Sequence, residues 1–196
     1  AHPGIGFTLG DDNRDLLKLP AATGPDARLD RLSGVMGKDF RDNSMAIDAQ
    51  REDMRLTGFA GLPTLNRGNS MMQFLFVNGR PVRNKLLYGA LKGAYREFLA
   101  SDRYPLVALF LDLAPDAVDV NVHPAKTEVR FRDAGLVRGL IVGAVKHTLA
   151  EAGHRASTTV SETALGAARP EGLGGGYGGG TYRGGGGPTY GGGATG

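Results

Sequence analysis

Glycine is distributed so unevenly along this chain that it limits where a fold can form. Fifteen of the 32 glycines lie between Gly172 and Gly196, interleaved with tyrosines as in Gly174-Gly175-Gly176-Tyr177. From about Ser157 onward hydrophobic periodicity stops and apolar residues become sparse. Such a segment cannot bury enough surface to offset a backbone entropy cost of roughly 1 to 2 kcal/mol per residue. The sequence therefore predicts one compact domain over residues 1–153 and a disordered glycine-rich linker or tail over 154–196. What precedes the tail has ordinary globular composition and is long enough for one real core.

Composition removes several classes of function. There is no cysteine, which excludes a disulfide framework, a thiolate metal site and a cysteine nucleophile, and fits a reducing, cytoplasmic setting. The four histidines, His2, His123, His147 and His154, show no metal-ligand spacing, so no metal site is expected. A net charge of +3 says little about partners until its location is known. No apolar run approaches the roughly 18 to 20 residues needed to span a bilayer, so no membrane partner is expected. The first residues, Ala1-His2-Pro3-Gly4, carry neither an initiator Met nor a basic leader, and the expectation is a chain that begins inside a longer protein.

Periodicity outlines the elements. Gly6–Leu9 and Leu16–Leu19 flank the polar turn Gly10-Asp11-Asp12-Asn13 as a hairpin. Ala27 to Met36 places Leu29, Leu32 and Val35/Met36 at helical spacing and is closed by Gly37. Extended segments follow near Ser44–Ala49 and Met54–Ala60, then a polar loop from Thr64 to Ser70. Met72–Val77 is an apolar strand ended by Asn78-Gly79, a strong turn signal. Arg83 to Leu99 reads as a helix with one broad apolar face, and Leu106–Leu113 as a buried strand. Val118–Val122 and Glu128–Phe131 alternate strictly. A second amphipathic helix runs from Leu136 to Leu149, with Gly153 beyond its end. Strands and helices in this order make an α/β sandwich with a mixed sheet and helices on one face.

Two places could carry chemistry. Pro124 removes an amide donor and holds His123 extended, so the ladder between the last two strands must break there. Lys126 is then expected at a loop tip, as a solvated charge or as an ammonium that meets a phosphate from another domain. The second place is the helix after Asn78-Gly79. Lys85, Lys92 and Arg96 lie within about 20° of one direction on its wheel, opposite the apolar face. Arg80, Arg83 and Lys85 crowd its start, where the helix dipole disfavours cations. That is either a solvated face or a surface whose repulsion a polyanion would relieve. No aromatic platform interleaves with these charges, so base stacking is not expected. No P-loop, dinucleotide-binding loop or nucleophile elbow is present, and Asp11-Asp12 reads as turn chemistry.

Two stretches say more than their periodicity. Phe76-Val77-Asn78-Gly79-Arg80-Pro81-Val82-Arg83, followed by Val118-Asp119-Val120-Asn121-Val122-His123-Pro124-Ala125-Lys126-Thr127-Glu128-Val129-Arg130-Phe131, resembles the MutL family of DNA mismatch-repair proteins. The likeness covers roughly Ala1 to Ala152, and His2-Pro3 with Phe7-Thr8-Leu9 looks like the join to a preceding ATPase domain. The resemblance implies the transducer domain, a two-layer sandwich similar to domain 2 of ribosomal protein S5. It implies that Lys126 reaches the γ-phosphate of ATP bound with magnesium in the preceding domain, a catalytic and cofactor-binding role. It implies further that Arg80, Arg83 and Lys85 contact DNA. Lys92 and Arg96 join them on the helical wheel alone.

The nucleotide-binding domain and the C-terminal dimerisation domain are absent from the chain, so it is expected neither to bind nor to hydrolyse ATP by itself. Expected partners are DNA, the mismatch-recognition protein of the repair pathway, and a second copy joined through the missing domains. Two other readings remain: a stand-alone S5-like nucleic-acid-binding module, and a topoisomerase-type transducer. The His-Pro-Ala-Lys loop with Glu-Val-Arg-Phe argues against the latter.

Overall fold

The structure is a computed structural model. It describes residues 2–12, 14–120 and 129–167, without the side chains of Val120 and of 155–167. The chain divides into two units, Ala1–Thr159 and Val160–Gly196, and the first holds the sheet.

In chain order the elements are strands β1 (Phe7–Asp11) and β2 (Arg14–Leu19), then helices α1 (Ala27–Met36) and α2 (Lys38–Asp42). Strands β3 (Ser44–Arg51), β4 (Met54–Gly61), β5 (Asn66–Arg67), β6 (Gln73–Val77) and β7 (Arg80–Pro81) precede helix α3 (Lys85–Tyr95). Then come β8 (Tyr104–Pro105), β9 (Val107–Asp112), a 3-10 turn (Pro115–Ala117), β10 (Val118–Val120), β11 (Val129–Phe131) and α4 (Ala134–Ala167).

The main sheet has the order β3-β4-β9-β6-β7. All neighbours are antiparallel except β6 and β9, because α3 carries the chain across the sheet between them. Register builds continuous layers: Leu75 lies beside Leu109, which faces Gly58, which faces Ile47. Val77, Leu111, Leu56 and Ala49 form the next row. This face is covered by Leu87, Ala90, Leu91, Ala94 and Tyr95 of α3 and by Val137, Leu140, Ile141, Val145 and Leu149 of α4.

The opposite face is not bare. Phe59, Phe74, Phe76, Ala108 and Phe110 meet Leu32 and Met36 of α1 and Phe40 of α2 in a second, smaller core. Phe76 and Phe110 stack with centroids 4.7 Å apart, and the Arg28 guanidinium lies 4.4 Å above the Phe110 ring. Central β9 is therefore apolar on both faces, as a doubly covered strand must be. Gly58 crosses here at φ 135°. A Cβ on it would overlap the Ala108 carbonyl oxygen, so only glycine allows β4 and β9 to approach.

Three polar anchors join the layers. Tyr95 is almost wholly buried, and its hydroxyl donates to the Gly61 carbonyl at 2.7 Å. That burial raises the phenol pKa well above its usual value. Asn84 caps α3, accepting from Leu86 N–H at 2.9 Å and Leu87 N–H at 3.3 Å, while its amide donates to the Val129 carbonyl at 2.6 Å. Buried Arg31 of α1 donates to the carbonyls of Pro3 and Pro20 at 3.1 and 3.0 Å, and also to that of Ile5, fastening the amino-terminal segment.

The mixed sheet, the β1–β2 hairpin, α1 and the strand pairs fall where the sequence places them. Four features differ. α2 follows α1 directly, after Gly37 at φ 97°, and with α1 it closes the second face. Within the expected Thr64–Ser70 loop, β5 pairs with β8. α3 is shorter than the expected Arg83–Leu99 because Asn84 caps it and the chain turns after Tyr95.

Last, the helix expected to end before Gly153 continues, as α4, to Ala167. Gly153 is not among the glycines at positive φ, so it does not form the left-handed cap that would end a helix. The glycine-rich segment 168–196 lies outside the described residues.

Candidate nucleic-acid interface

The Asn78-Gly79 turn adopts positive φ at both residues, 48° and 77°, which suits a tight hairpin between β6 and β7. The Asn78 side chain also accepts from Leu113 N–H at 3.0 Å, so this turn is held from within. It places Arg80 on β7 and leads through buried Val82 to Arg83 and to Lys85, the first residue of α3. Arg80, Arg83 and Lys85 are all exposed.

Two neighbouring grooves run along this side of the molecule. The larger, about 640 Å³, is lined by α3 through Tyr88, Lys92 and Arg96 and by the turn before β9 through Arg103 and Tyr104. The smaller, about 400 Å³, is lined by Arg83 with Phe74, Phe76 and Pro81. They share Ser70, Gln73 and Tyr88. Buried Gln73 donates to the Pro105 carbonyl at 3.3 Å, which fixes the join between β6 and the β8 segment beneath them.

The structure thus brings Lys92 and Arg96 together and puts Arg83 next door, while Arg80 and Lys85 line neither groove. It adds Arg103 and two tyrosines that the sequence does not single out. Tyr88 is legible afterwards, since it stands one helical turn before Lys92. Arg103 and Tyr104 are not, because they arrive through the pairing of β8 with β5. Two tyrosines thus line the groove beside charges for which the sequence offers no aromatic platform. Glu97 adjoins Arg96, but its carboxylate is held by Lys146 at 2.6 Å, which keeps its pKa below the usual carboxylate value.

Lys126 lies outside the described residues, as does the whole of 121–128. Its frame is described: β10 and β11 pair antiparallel with Val120 opposite Val129. The Asn84 amide binds the Val129 carbonyl, so the start of α3 is tied to that frame. Among the described residues no group of three His, Asp or Glu side chains could hold a metal, and no helix is long and apolar enough to cross a membrane.

The family described as DNA mismatch repair protein, C-terminal domain, matches residues 32–150. The DNA mismatch repair protein MutL of Phenylobacterium zucineum is 64% identical over 174 residues, covering 88% of this chain and 28% of that protein. The MutL protein of Rhodospirillum rubrum is 60% identical over 191 residues, covering 92% of this chain and 30% of that one. The chain therefore spans under a third of the length of these relatives. Among solved structures, the N-terminal domain of a DNA repair protein superposes with a TM-score of 0.62 at 20% identity. It covers 76% of this chain and 49% of that one, a likeness of fold.

Proposed function

From a chain that belongs to the MutL-type DNA mismatch-repair family, we propose a transducer: the part of a mismatch-repair protein that links a nucleotide-binding domain to DNA. The observation that carries this reading is the line of exposed cations from the β6–β7 turn along α3. Arg80, Arg83, Lys85, Lys92 and Arg96 supply positive charge to a phosphate backbone, and such contacts weaken steeply with salt.

In this reading Lys126 is the residue that meets the nucleotide. It belongs to the eight residues that join the paired ends of β10 and β11, and a lysine there can offer its ammonium to a phosphate held by another domain. The described residues have neither a metal donor set nor a glycine phosphate loop. They do not fit a magnesium nucleotide of their own, and no hydrolytic step is assigned to them. ATP and magnesium belong to the preceding domain of a full-length protein. The further partners in this reading are a mismatch-recognition protein and a second copy, joined through domains outside this chain, in the cytoplasm.

The test is Lys126→Ala in a full-length protein of this family. ATP turnover is expected to fall by about a hundredfold, the scale of losing one charge-stabilising donor. Unchanged turnover would remove Lys126 from this role. The DNA half of the reading has its own measurement: Arg83→Glu with Lys85→Glu should weaken duplex binding and flatten its salt dependence.

A further inference from the structure

The main sheet ends on two unlike edges. β7 is two residues long and contains Pro81, and shortness and proline both blunt an edge. β3, at the other side, runs from Ser44 to Arg51 and pairs with β4 along its whole length without a bulge. It contains neither proline nor lysine. Leu62 N–H donates to the Asn43 carbonyl at 2.8 Å, which makes Asn43 and Leu62 a bonded pair of the ladder. Bonded pairs alternate along an antiparallel ladder. Met45, Ile47, Ala49 and Arg51 therefore turn their backbone groups to β4, while Ser44, Ala46, Asp48 and Gln50 turn theirs outward. Among the described residues no backbone group meets those four.

The charges that would guard such an edge are turned away from it. Asp48 is held by Arg55 of β4 through two bonds, Nε to Oδ1 at 3.0 Å and Nη2 to Oδ2 at 2.7 Å. Arg51 turns onto α4, its Nη1 2.9 Å from where a Cβ on Gly139 would stand. Gly135 and Gly143 lie one turn to either side of Gly139, on the same row of the helix. The flank of α4 nearest β3 is therefore narrow and leaves room beside the strand. Ala46, Asp48 and Gln50 are exposed.

An open strand of this kind accepts another strand, and β3 is complementary to itself. Bonds form only where outward residues of one copy face outward residues of the other. With a two-fold axis at Ile47, Ser44 faces Gln50 of the other copy and Ala46 faces Asp48, so every outward group is paired. Moving the axis to Asp48 would set two aspartates opposite each other, which is unfavourable. Moving it to Ala46 would leave Gln50 beyond the paired strands. We infer that β3 is a self-association edge, through which two copies of this chain join their main sheets antiparallel about an axis at Ile47. The contact is isologous and closes at two. It lies within this chain, apart from the domains outside it that the reading above uses to join two copies.

A single strand pair is smaller than the roughly 1,200 to 2,000 Å² of a stable complex, so the association is weak. The experiment is sedimentation of the full chain from about 10 μM to about 1 mM, the weak end of protein affinities. A reversible monomer–dimer equilibrium is expected. Ala46→Pro and Gln50→Pro each remove an outward N–H and leave the ladder to β4 intact, as proline on an edge strand can. Each should weaken the dimer by about tenfold or more, the scale of losing a bond and meeting a clash, with far-ultraviolet dichroism unchanged. A synthetic peptide of the β3 sequence, Ser44 to Arg51, should compete with the dimer. The axis has its own readout, because the chain has no cysteine. Mixed Ala46→Cys and Asp48→Cys chains should form a disulfide on oxidation, since directly opposed residues lie within disulfide reach, and either variant alone should not. A chain that stays monomeric to about 1 mM overturns the inference, and so does association that both prolines leave untouched, which would belong to another surface. A monomeric chain that nevertheless binds the peptide would make β3 a site for a foreign strand and overturn the second copy. Cross-linking of Ala46→Cys or Asp48→Cys by itself would overturn the axis at Ile47.

Discussion

Asn84 joins the start of α3 to the strand pair that frames Lys126. Its carbonyl oxygen satisfies two of the free amides at the start of α3, and its amide holds the Val129 carbonyl of β11. Asn84→Ala should cost about 1 to 2 kcal/mol, from the lost cap and the orphaned carbonyl. Asn84→Asp keeps the acceptor but loses the donor, so it should recover only part of that loss. Urea titration reads both as a lowered midpoint at unchanged slope. Asparagine here is legible as a cap, since Ser, Thr, Asp and Asn precede helices for this reason. Its second bond is not legible, because Val129 lies 45 residues away. The same holds for Gly58: the sequence shows a glycine in a strand, and only the approach of β9 shows why.

At the scale of the element, α3 presents a buried side built of Leu87, Ala90, Leu91, Ala94 and Tyr95 and an open side that carries Lys92 and Arg96. The wheel separates these two sides within α3, but it also puts Phe98 on the apolar face, and Phe98 lies past the helix end and is exposed. What it cannot show is which neighbour completes the groove, and Arg103 and Tyr104 come from beyond the helix. Just past the end of α3, Glu97 bridges to Lys146 of α4. Its folded pKa is lowered first by the Lys146 hydrogen bond, and that of Asp48 likewise by its bond to Arg55. A lowered carboxylate contributes stability that is present above its unfolded pKa and is lost as pH falls through the folded value. The unfolding midpoint should therefore decline as pH drops through and below the ordinary carboxylate range. Glu97→Gln with Asp48→Asn should shallow that decline, and modestly, because both pairs are exposed to solvent. A decline of the same depth in the double variant would assign the acid sensitivity to other groups.

At the scale of the whole molecule, β9 belongs to two cores at once: Val107, Leu109 and Leu111 to one, Ala108 and Phe110 to the other. Such a strand couples them, so α1 and α2 should not melt independently of the α3 and α4 face. Phe40, fully buried in the smaller core, supplies the test. Phe40→Ala should cost about 3 to 5 kcal/mol, with far-ultraviolet dichroism and tyrosine fluorescence giving coincident transitions. Two separated transitions would mean that the cores are independent. The sequence by itself determined the apolar pattern of the longer strands, the helical faces, the Asn78-Gly79 turn and the motifs that mark the family. These depend on periodicity and on residues within a few positions of one another. Only the tertiary structure decided that both faces of the sheet are covered, that α4 continues past Gly153, and that Tyr104 and Arg103 line one groove with Lys92. Those arrangements depend on which surfaces meet, and a meeting between distant segments leaves no period in the chain.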